Sequence, residues 1–243
     1  MIQFSGGLLL LDVEGTVSPL TFVHDVLFPF ARKNVASFLA KNAESAAVLA
    51  ALDQMARDDG AKAFADWCPC PAGTAAAGSW TVARVHQLTD ADAKLGGLKQ
   101  LQGLIWEEGY RAGTLRSVVF CDVPAALASW HAAGRRTRIY SSGSAHAQRL
   151  FFTYTERGDL TPFLSGYHDT AIGSKRHPAS YAAIAADAGF PPESVLFVSD
   201  VPAELNAARG AGMQTALALR PGNAPLETVD HPAITSLAGI VLN

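Results

Sequence analysis

The sequence predicts an α/β fold: a doubly wound, mainly parallel sheet that carries an inserted α-helical segment. Short apolar runs alternate with helical patterns through the second half of the chain, which is typical of parallel strands covered by helices on both faces. Residues 22–114 show helical spacing and no convincing strand. We therefore expect a core of residues 1–21 and 115–243, and a helical insert at residues 22–114.

The core is expected to contain five strands joined by helices. The predicted strands are "LLLLD" at 8–12, "SVVFCD" at 117–122, the start of "RTRIYSSGS" at 136–144, "SVLFVSD" at 194–200 and "QTALAL" at 214–219. Helical patterns lie between these strands, at 123–134, 145–152, 178–189 and 202–212. Gly134 and Gly189 are expected at helix C-termini, where a left-handed residue is common.

The insert is expected to be helical at residues 22–42, 46–57 and 91–112. Between the last two segments, "DWCPCPAGTAAAGSW" at 66–80 is rich in Pro, Gly and Ala and is interpreted as a loop. Its two cysteines form half of a zinc-site pattern, but such a site needs about four ligands. With one further cysteine in the chain, we interpret Cys68 and Cys70 as reduced loop residues.

Composition excludes several classes of function. The chain is 49% hydrophobic, so it can bury a core, and its net charge of −3 shows no basic bias, which argues against a nucleic-acid partner. Its apolar runs are shorter than the roughly 20 residues of a membrane helix. The first residues do not resemble a signal peptide. We expect a cytoplasmic monomer that acts on a small molecule.

Polar residues are concentrated where predicted strands end. In an open parallel sheet, ligands bind beyond the carboxyl ends of the strands. If the fold is as predicted, these residues share one cleft. They are Asp12 and Glu14 after the first strand, Ser141 and Ser142 after "RIY", Asp200 after "VLFVS", and Lys175 in "IGSKRHP".

These residue types suit the chemistry of phosphate esters. Asp12, Glu14 and Asp200 provide carboxylate oxygens, which Mg²⁺ prefers. Without a cation, three carboxylates would repel one another and raise each other's pKa. A phosphate would complete the charge balance, bound by the cation, Lys175 and backbone N–H groups. A carboxylate can also act as a nucleophile and form an acyl phosphate.

The same residues carry a family resemblance. "LLLLDVEGT", "IYSSGS", "IGSK" and "VLFVSD", in that order, resemble the four signatures of the haloacid-dehalogenase-like hydrolases, which have a Rossmann-like core. Longer strings, such as "DVEGTVSPLTFVHDVLFPFARKNV" and "LKQLQGLIWEEGYRAGTL", resemble the enolase-phosphatase (acireductone synthase) family of methionine salvage, as does "RPGNAP". Residues 42–95 match that family least.

The resemblance implies roles for the three acids. Asp12 is expected to be the nucleophile and a metal ligand, and Asp200 a ligand of Mg²⁺. Glu14 stands where most phosphatases of the superfamily have a second Asp. It is expected to be a metal ligand, through either its side chain or its backbone. Because its arm is one methylene longer than that of Asp, Glu14 is also our hypothesis for proton transfer in enolisation.

For the remaining residues, the resemblance implies substrate contacts. Ser141 and Ser142 would contact the substrate or its phosphate, and Lys175 would hold the phosphate and balance the charge of the nucleophile. The insert would act as a cap domain. Alternatives for single residues stay open: the serines as helix N-caps, and Glu204 as a helix-surface acid, with a role beside metal-bound water as its second interpretation.

The activity implied is bifunctional. A Mg²⁺-dependent enzyme would enolise 2,3-diketo-5-methylthiopentyl-1-phosphate and then remove its phosphate, giving acireductone. One alternative is a phosphatase of the same superfamily that acts on another small phosphate ester. Dehalogenase chemistry needs no metal and would leave Glu14 and Asp200 without a purpose. A non-catalytic metabolite-binding protein would not need Asp12, Lys175 and Asp200 together.

Overall fold

The computed structural model describes residues 1–71, 73–91, 93, 95–225 and 230–243. The chain divides into two compact units. The α/β unit comprises Met1–Phe22 and Arg116–Asn243, and the helical unit comprises Val23–Leu115. In the described residues, every helix is too short or too polar to cross a lipid bilayer.

In its described residues the α/β unit contains eight strands. They are β1 Ile2–Phe4, β2 Leu8–Leu11, β3 Arg136–Tyr140, β4 Gly166–His168, β5 Val195–Ser199, β6 Gln214–Ala218, β7 Ala233–Ile234 and β8 Ile240–Leu242. Six of them form the main sheet in the order β4-β3-β2-β5-β6-β7, and all of its pairings are parallel. The first and last strands, β1 and β8, pair with each other in parallel.

The order of the sheet has a switch point between β2 and β5. From β2 the chain proceeds outward through β3 and β4, and then returns to build β5, β6 and β7 on the other side. Ligands of doubly wound sheets bind at such a point, beyond the carboxyl ends of the strands. The predicted α/β fold with a parallel sheet is thereby confirmed.

The central strands are apolar on both faces because both faces are covered. All residues of β2 and β5 are buried, including Ser199 at the end of β5. This explains why "LLLL" shows no alternation of polar and apolar residues. The helices of the α/β unit are α1 Leu20–Phe22, α7 Val123–Ala132, α8 Ala145–Thr153, α9 Pro178–Ala188 and α10 Pro202–Gly210.

The helical unit begins with a π-helical turn, Val23–Leu27, and has its own buried core. Its helices are α2 Phe28–Asn42, α3 Ala46–Asp58, α4 Phe64–Trp67, α5 Ala75–Asp90 and α6 Gly96–Arg111. Within its described residues there is no strand, as expected. The core is formed by apolar faces of α2, α3, α5 and α6, including Val35, Met55, Val85 and Leu101.

Two predictions of local structure are wrong. "SVVFCD" at 117–122 is not a strand: only Ser117 makes an isolated bridge, to Thr155, before α7 begins. The segment 66–80 is not a single loop, because α4 and α5 take up both of its ends. Thr74 explains the second error: its hydroxyl accepts a hydrogen bond from the Ala77 N–H and starts an alanine-rich helix.

Candidate active site

Asp12 is the first residue after the central strand β2. Its N–H donates to the Val198 carbonyl oxygen at 3.0 Å, which extends the β2–β5 ladder by one residue. Leu11 pairs with Ile139 on β3 and with Val198 on β5. Asp12 therefore leaves the sheet at the switch point, between the strands that end next to Ser141 and Asp200.

A tight turn follows Asp12. The Val13 carbonyl oxygen accepts hydrogen bonds from three successive N–H groups, those of residues 16, 17 and 18. Gly15 has φ of +71°, a left-handed conformation that favours glycine. A Cβ there would lie 2.3 Å from Asp200 Oδ2, so glycine also permits the turn to press against that carboxylate. Glu14 lies half-buried in the turn, where its backbone pairs with Ser18.

Lys175 lies between two carboxylates. Its Nζ is 2.6 Å from Asp12 Oδ1 and 2.6 Å from Glu204 Oε2. The three side chains are only 10%, 7% and 13% exposed. Burial acts to lower the pKa of Lys175, but the two carboxylates outweigh it and raise that pKa to about 12. The lysine is therefore a fixed positive charge beside the predicted nucleophile.

The loop that carries Lys175 is held by buried tyrosines. The Tyr181 hydroxyl donates to the Lys175 carbonyl oxygen at 2.7 Å, and the Tyr140 hydroxyl donates to the Gly173 carbonyl oxygen at 2.9 Å. The two rings pack edge to face at 5.5 Å, and the ammonium of Lys175 lies 5.6 Å from the Tyr140 ring centroid. Because β3 and α9 supply these tyrosines, the main core fixes the position of the lysine.

The interpretation of Glu204 as a helix-surface acid is wrong. Its carboxylate contacts Lys175 and also accepts a hydrogen bond from the Ser199 hydroxyl at 3.0 Å. Burial and the nearby Asp12 carboxylate raise the pKa of Glu204. Lys175 acts to lower that pKa but is outweighed, because its single positive charge is shared between two carboxylates. The available signal in the sequence was its spacing, one helical turn after Asp200 at the start of α10.

Asp200 completes a cluster with excess negative charge. Burial, followed by the Asp12 carboxylate, raises the pKa of Asp200 to about 7. Its Oδ1 atom is buried and has no hydrogen-bond partner among the described residues. Three carboxylates, those of Asp12, Asp200 and Glu204, face one ammonium. An unpaired oxygen and surplus negative charge are features that a divalent cation with oxygen ligands would satisfy.

The residues of this cluster can bind Mg²⁺ if the ion takes only one or two side-chain ligands. In the described part of the chain, no three His, Cys, Asp or Glu side chains are grouped closely enough to hold a metal ion. Mg²⁺ commonly keeps several waters and takes one or two protein carboxylates together with substrate phosphate. The carboxylates of Asp12 and Asp200 would suit that arrangement, and a ligand role for Glu14, through its side chain or its backbone, stays a prediction.

Ser141 and Ser142 follow β3 and differ in exposure. Ser141 is buried, its N–H donates to the His168 carbonyl oxygen at 3.1 Å, and its hydroxyl oxygen faces the Gly143 N–H at 3.4 Å. Ser142 is exposed. The interpretation of either serine as a helix cap is wrong, because Ser144 caps α8 by accepting a hydrogen bond from the Ala147 N–H.

The structure thus joins Asp12, Lys175 and Glu204 directly, and brings Asp200 to the same turn through Gly15. Ser141 follows the neighbouring strand of the same sheet. Their substrate and metal roles stay predictions. Two further residues that the sequence analysis did not identify, Arg220 and Asn223, donate hydrogen bonds to the turn after Asp12. Only the resemblance of "RPGNAP" to the family pointed to that segment.

Comparison with known proteins agrees with this geometry. The family model described as haloacid dehalogenase-like hydrolase matches residues 7–212. The enolase-phosphatase E1 of Synechococcus elongatus is 51% identical over 228 residues, which cover 94% of this chain and 94% of that protein. The chain belongs to the enolase-phosphatase family of these hydrolases. The enolase-phosphatase E1 of Parvibaculum lavamentivorans is 49% identical and covers 84% of this chain and 81% of its own.

Other enolase-phosphatases extend the comparison. A Populus trichocarpa protein named as a probable bifunctional methylthioribulose-1-phosphate dehydratase/enolase-phosphatase E1 is 45% identical, and this chain spans 46% of its length. Among solved structures, UTR4 protein of Saccharomyces cerevisiae matches with a TM-score of 0.78 and 33% identity, covering 96% of this chain and 98% of its own. The fold is therefore shared over nearly the full length of both chains.

Proposed function

We propose that this enolase-phosphatase converts 2,3-diketo-5-methylthiopentyl-1-phosphate to acireductone and phosphate, in methionine salvage. The observation that carries the proposal is the buried contact of Lys175 with Asp12 and Glu204 at the switch point of the sheet. It occurs in a chain that is 51% identical to a named enolase-phosphatase over 94% of both lengths.

Phosphate transfer begins at Asp12. Its carboxylate oxygen attacks the phosphorus, a P–O(Asp12) bond forms, and the bond to the enol oxygen breaks, so that the electron pair leaves with the enolate. Water then attacks the acyl phosphate, releases inorganic phosphate and restores the carboxylate. The ammonium of Lys175 reduces repulsion between the nucleophile and the phosphate, and the two carboxylates around it keep it protonated.

Mg²⁺, held by Asp12, Asp200 and an oxygen of Glu14, would supply positive charge that stabilises the developing negative charge on phosphate and enolate oxygens. The hydroxyl of Ser141, the residue after β3, would donate a hydrogen bond to the phosphate, and Ser142 would contact the substrate. The Glu14 carboxylate would take the proton from the carbon that bears the phosphate and pass it to the neighbouring carbonyl oxygen, which gives the enol. The helical unit would serve as the cap that excludes water from the reaction.

The decisive experiment gives purified protein the diketo phosphate with Mg²⁺ and follows enolate absorbance and phosphate release together. We expect both signals. Asp12→Asn should stop phosphate release, and Glu14→Gln should slow enolate formation, with circular dichroism showing that both variants are folded. Turnover of generic phosphate esters without turnover of the diketo phosphate would favour a phosphatase with another substrate. Continued turnover by Asp12→Asn would exclude the covalent route.

A further inference from the structure

The turn after Asp12 exposes two carbonyl groups that its own backbone does not use. Within the turn, the Val13 carbonyl accepts three N–H groups, and the Gly15 N–H donates to the Ser18 carbonyl at 2.8 Å. The carbonyl oxygens of Gly15 and Thr16 instead accept hydrogen bonds from side chains of a distant segment. The Asn223 amide donates to Gly15 at 2.9 Å, and Arg220 Nε donates to Thr16 at 2.8 Å.

Arg220 is a rigid donor. Its side chain is 3% exposed, and its Nη1 donates to Asp122 Oδ2 at 2.9 Å and to the Thr235 carbonyl at 3.1 Å. Its guanidinium lies 4.8 Å from the ring centroid of Phe120. Asp122 is held in turn by the Leu237 N–H at 2.6 Å. Arg220 therefore has a fixed orientation that does not depend on any bound molecule.

Asn223 connects the turn to the sheet. Its amide nitrogen also donates to the carbonyl oxygen of Ala218, the last residue of β6, at 3.1 Å. Gly15, its other acceptor, is the residue whose backbone presses against the Asp200 carboxylate. Rotation of the peptide after Gly15 would displace that contact and the backbone next to Glu14. The amide of Asn223 opposes this rotation.

We infer that Asn223 and Arg220 are positioning residues for the reaction. They fix the turn that places Asp12 and Glu14 opposite Asp200, through hydrogen bonds to the carbonyl oxygens of Thr16 and Gly15. This inference rests on the proposed function. Loss of the two Asn223 bonds is expected to lower the rate of turnover by about tenfold.

The test compares Asn223→Ala with Gln214→Ala. Gln214 is a matched control because its side-chain amide also donates to a backbone carbonyl, that of Glu193 at 3.1 Å, but from the first residue of β6, at the opposite end of the sheet. Removing either side chain leaves no charge unpaired. Arg220→Lys is a second variant: it keeps a cation beside Asp122 but loses the planar fork that reaches Thr16 as well.

Two readouts separate positioning from loss of structure. Electron paramagnetic resonance with Mn²⁺ alone gives both the number of sites and the dissociation constant. Misfolded protein lowers the number of Mn²⁺ sites per chain, whereas a displaced turn raises the Mn²⁺ dissociation constant. Turnover of the diketo phosphate is then expressed per Mn²⁺ site. For Asn223→Ala and Arg220→Lys we expect kcat per site to fall about tenfold or more with KM within threefold, and the Mn²⁺ dissociation constant to rise at least threefold.

The outcomes are distinct. Gln214→Ala should match the wild type within twofold in kcat per site and in Mn²⁺ affinity. Wild-type values for Asn223→Ala in both measurements would overturn the inference and leave the proposed function standing. Failure of the wild type itself to turn over the diketo phosphate would refute the proposed function. In that case the Mn²⁺ dissociation constants alone decide on positioning, and equal constants in wild type and Asn223→Ala reject it.

Discussion

Replacing Asp200 with asparagine should stabilise the metal-free protein while it destroys activity. In the chelated protein, the buried Asp200 carboxylate lies near other acids, with one oxygen that has no partner among the described residues. Asparagine has nearly the same shape and no charge. The variant therefore removes the repulsion and the burial penalty while it leaves the turn around Gly15 in place.

The magnitude follows from the pKa of Asp200, raised from 3.8 to about 7. One pKa unit corresponds to about 1.4 kcal/mol, so ionised Asp200 destabilises the fold by at most about 4 kcal/mol. The folded state binds more protons than the unfolded state between these two values, so stability falls as pH rises from about 4 to about 7, and the penalty is complete above that range. We expect a gain of about 2–4 kcal/mol for Asp200→Asn at pH 8.

Urea unfolding in excess chelator measures this gain, at pH 8 and again at pH 5, where it should shrink. Addition of Mg²⁺ should stabilise the wild type and leave the variant unchanged, because the variant lacks the ligand. Asp187→Asn is the control: this acid is exposed, and its pKa is lowered by Arg138, so its loss should not stabilise the fold. Equal or lower stability of chelated Asp200→Asn at pH 8 would refute the reasoning.

Three further predictions concern the residues around the site. Tyr181→Phe removes the hydroxyl that donates to the Lys175 carbonyl, and should lower the free energy of unfolding by about 1–3 kcal/mol in urea titrations. It should also lower kcat, and an unchanged kcat would show that the loop of Lys175 does not need this hydrogen bond. Gly15→Ala places a Cβ 2.3 Å from Asp200 and should abolish phosphate release, and an active variant would contradict the close approach. Burial would raise the pKa of Asp122, but bonds from a backbone N–H and an arginine outweigh it and lower that pKa, so its stabilisation is present above about pH 4 and is lost as pH falls further. Unfolding midpoints from pH 6 to 3 should therefore decline less in Asp122→Asn than in the wild type, and parallel profiles would speak against this role.

The parts of the fold that sequence could predict are those with strong local signals. Central strands such as β2 and β5 are continuous apolar runs because they are covered on both faces. Helices α9 and α10 begin with proline, and Gly189 ends α9 in the left-handed conformation. The short strands β1, β4, β7 and β8 were missed, since segments of two or three residues carry no periodicity and form strands only through pairing with distant segments.

The same reasoning explains which residues of the site were found. Asp12, Lys175 and Asp200 stand at recognisable strand ends or in a recognisable loop, so order along the chain was enough to suggest a shared cleft. Glu204 was misjudged because an acid in the first turn of a helix is usually exposed. Arg220 and Asn223 could not be assigned a role, because their acceptors are backbone carbonyls of Thr16 and Gly15, far away in sequence.

The points where the chain leaves and re-enters the α/β unit are fastened to each other. The Ser18 hydroxyl donates to the Val118 carbonyl at 2.8 Å, and the Phe120 N–H donates to the Val17 carbonyl at 3.0 Å. The two chain segments that flank the helical unit are therefore held together by hydrogen bonds. An insertion between two such segments is generally tolerated, because they keep their relative position whatever the length of the inserted chain. We therefore expect changes of sequence or length within the helical unit to leave the sheet and its charged edge in place.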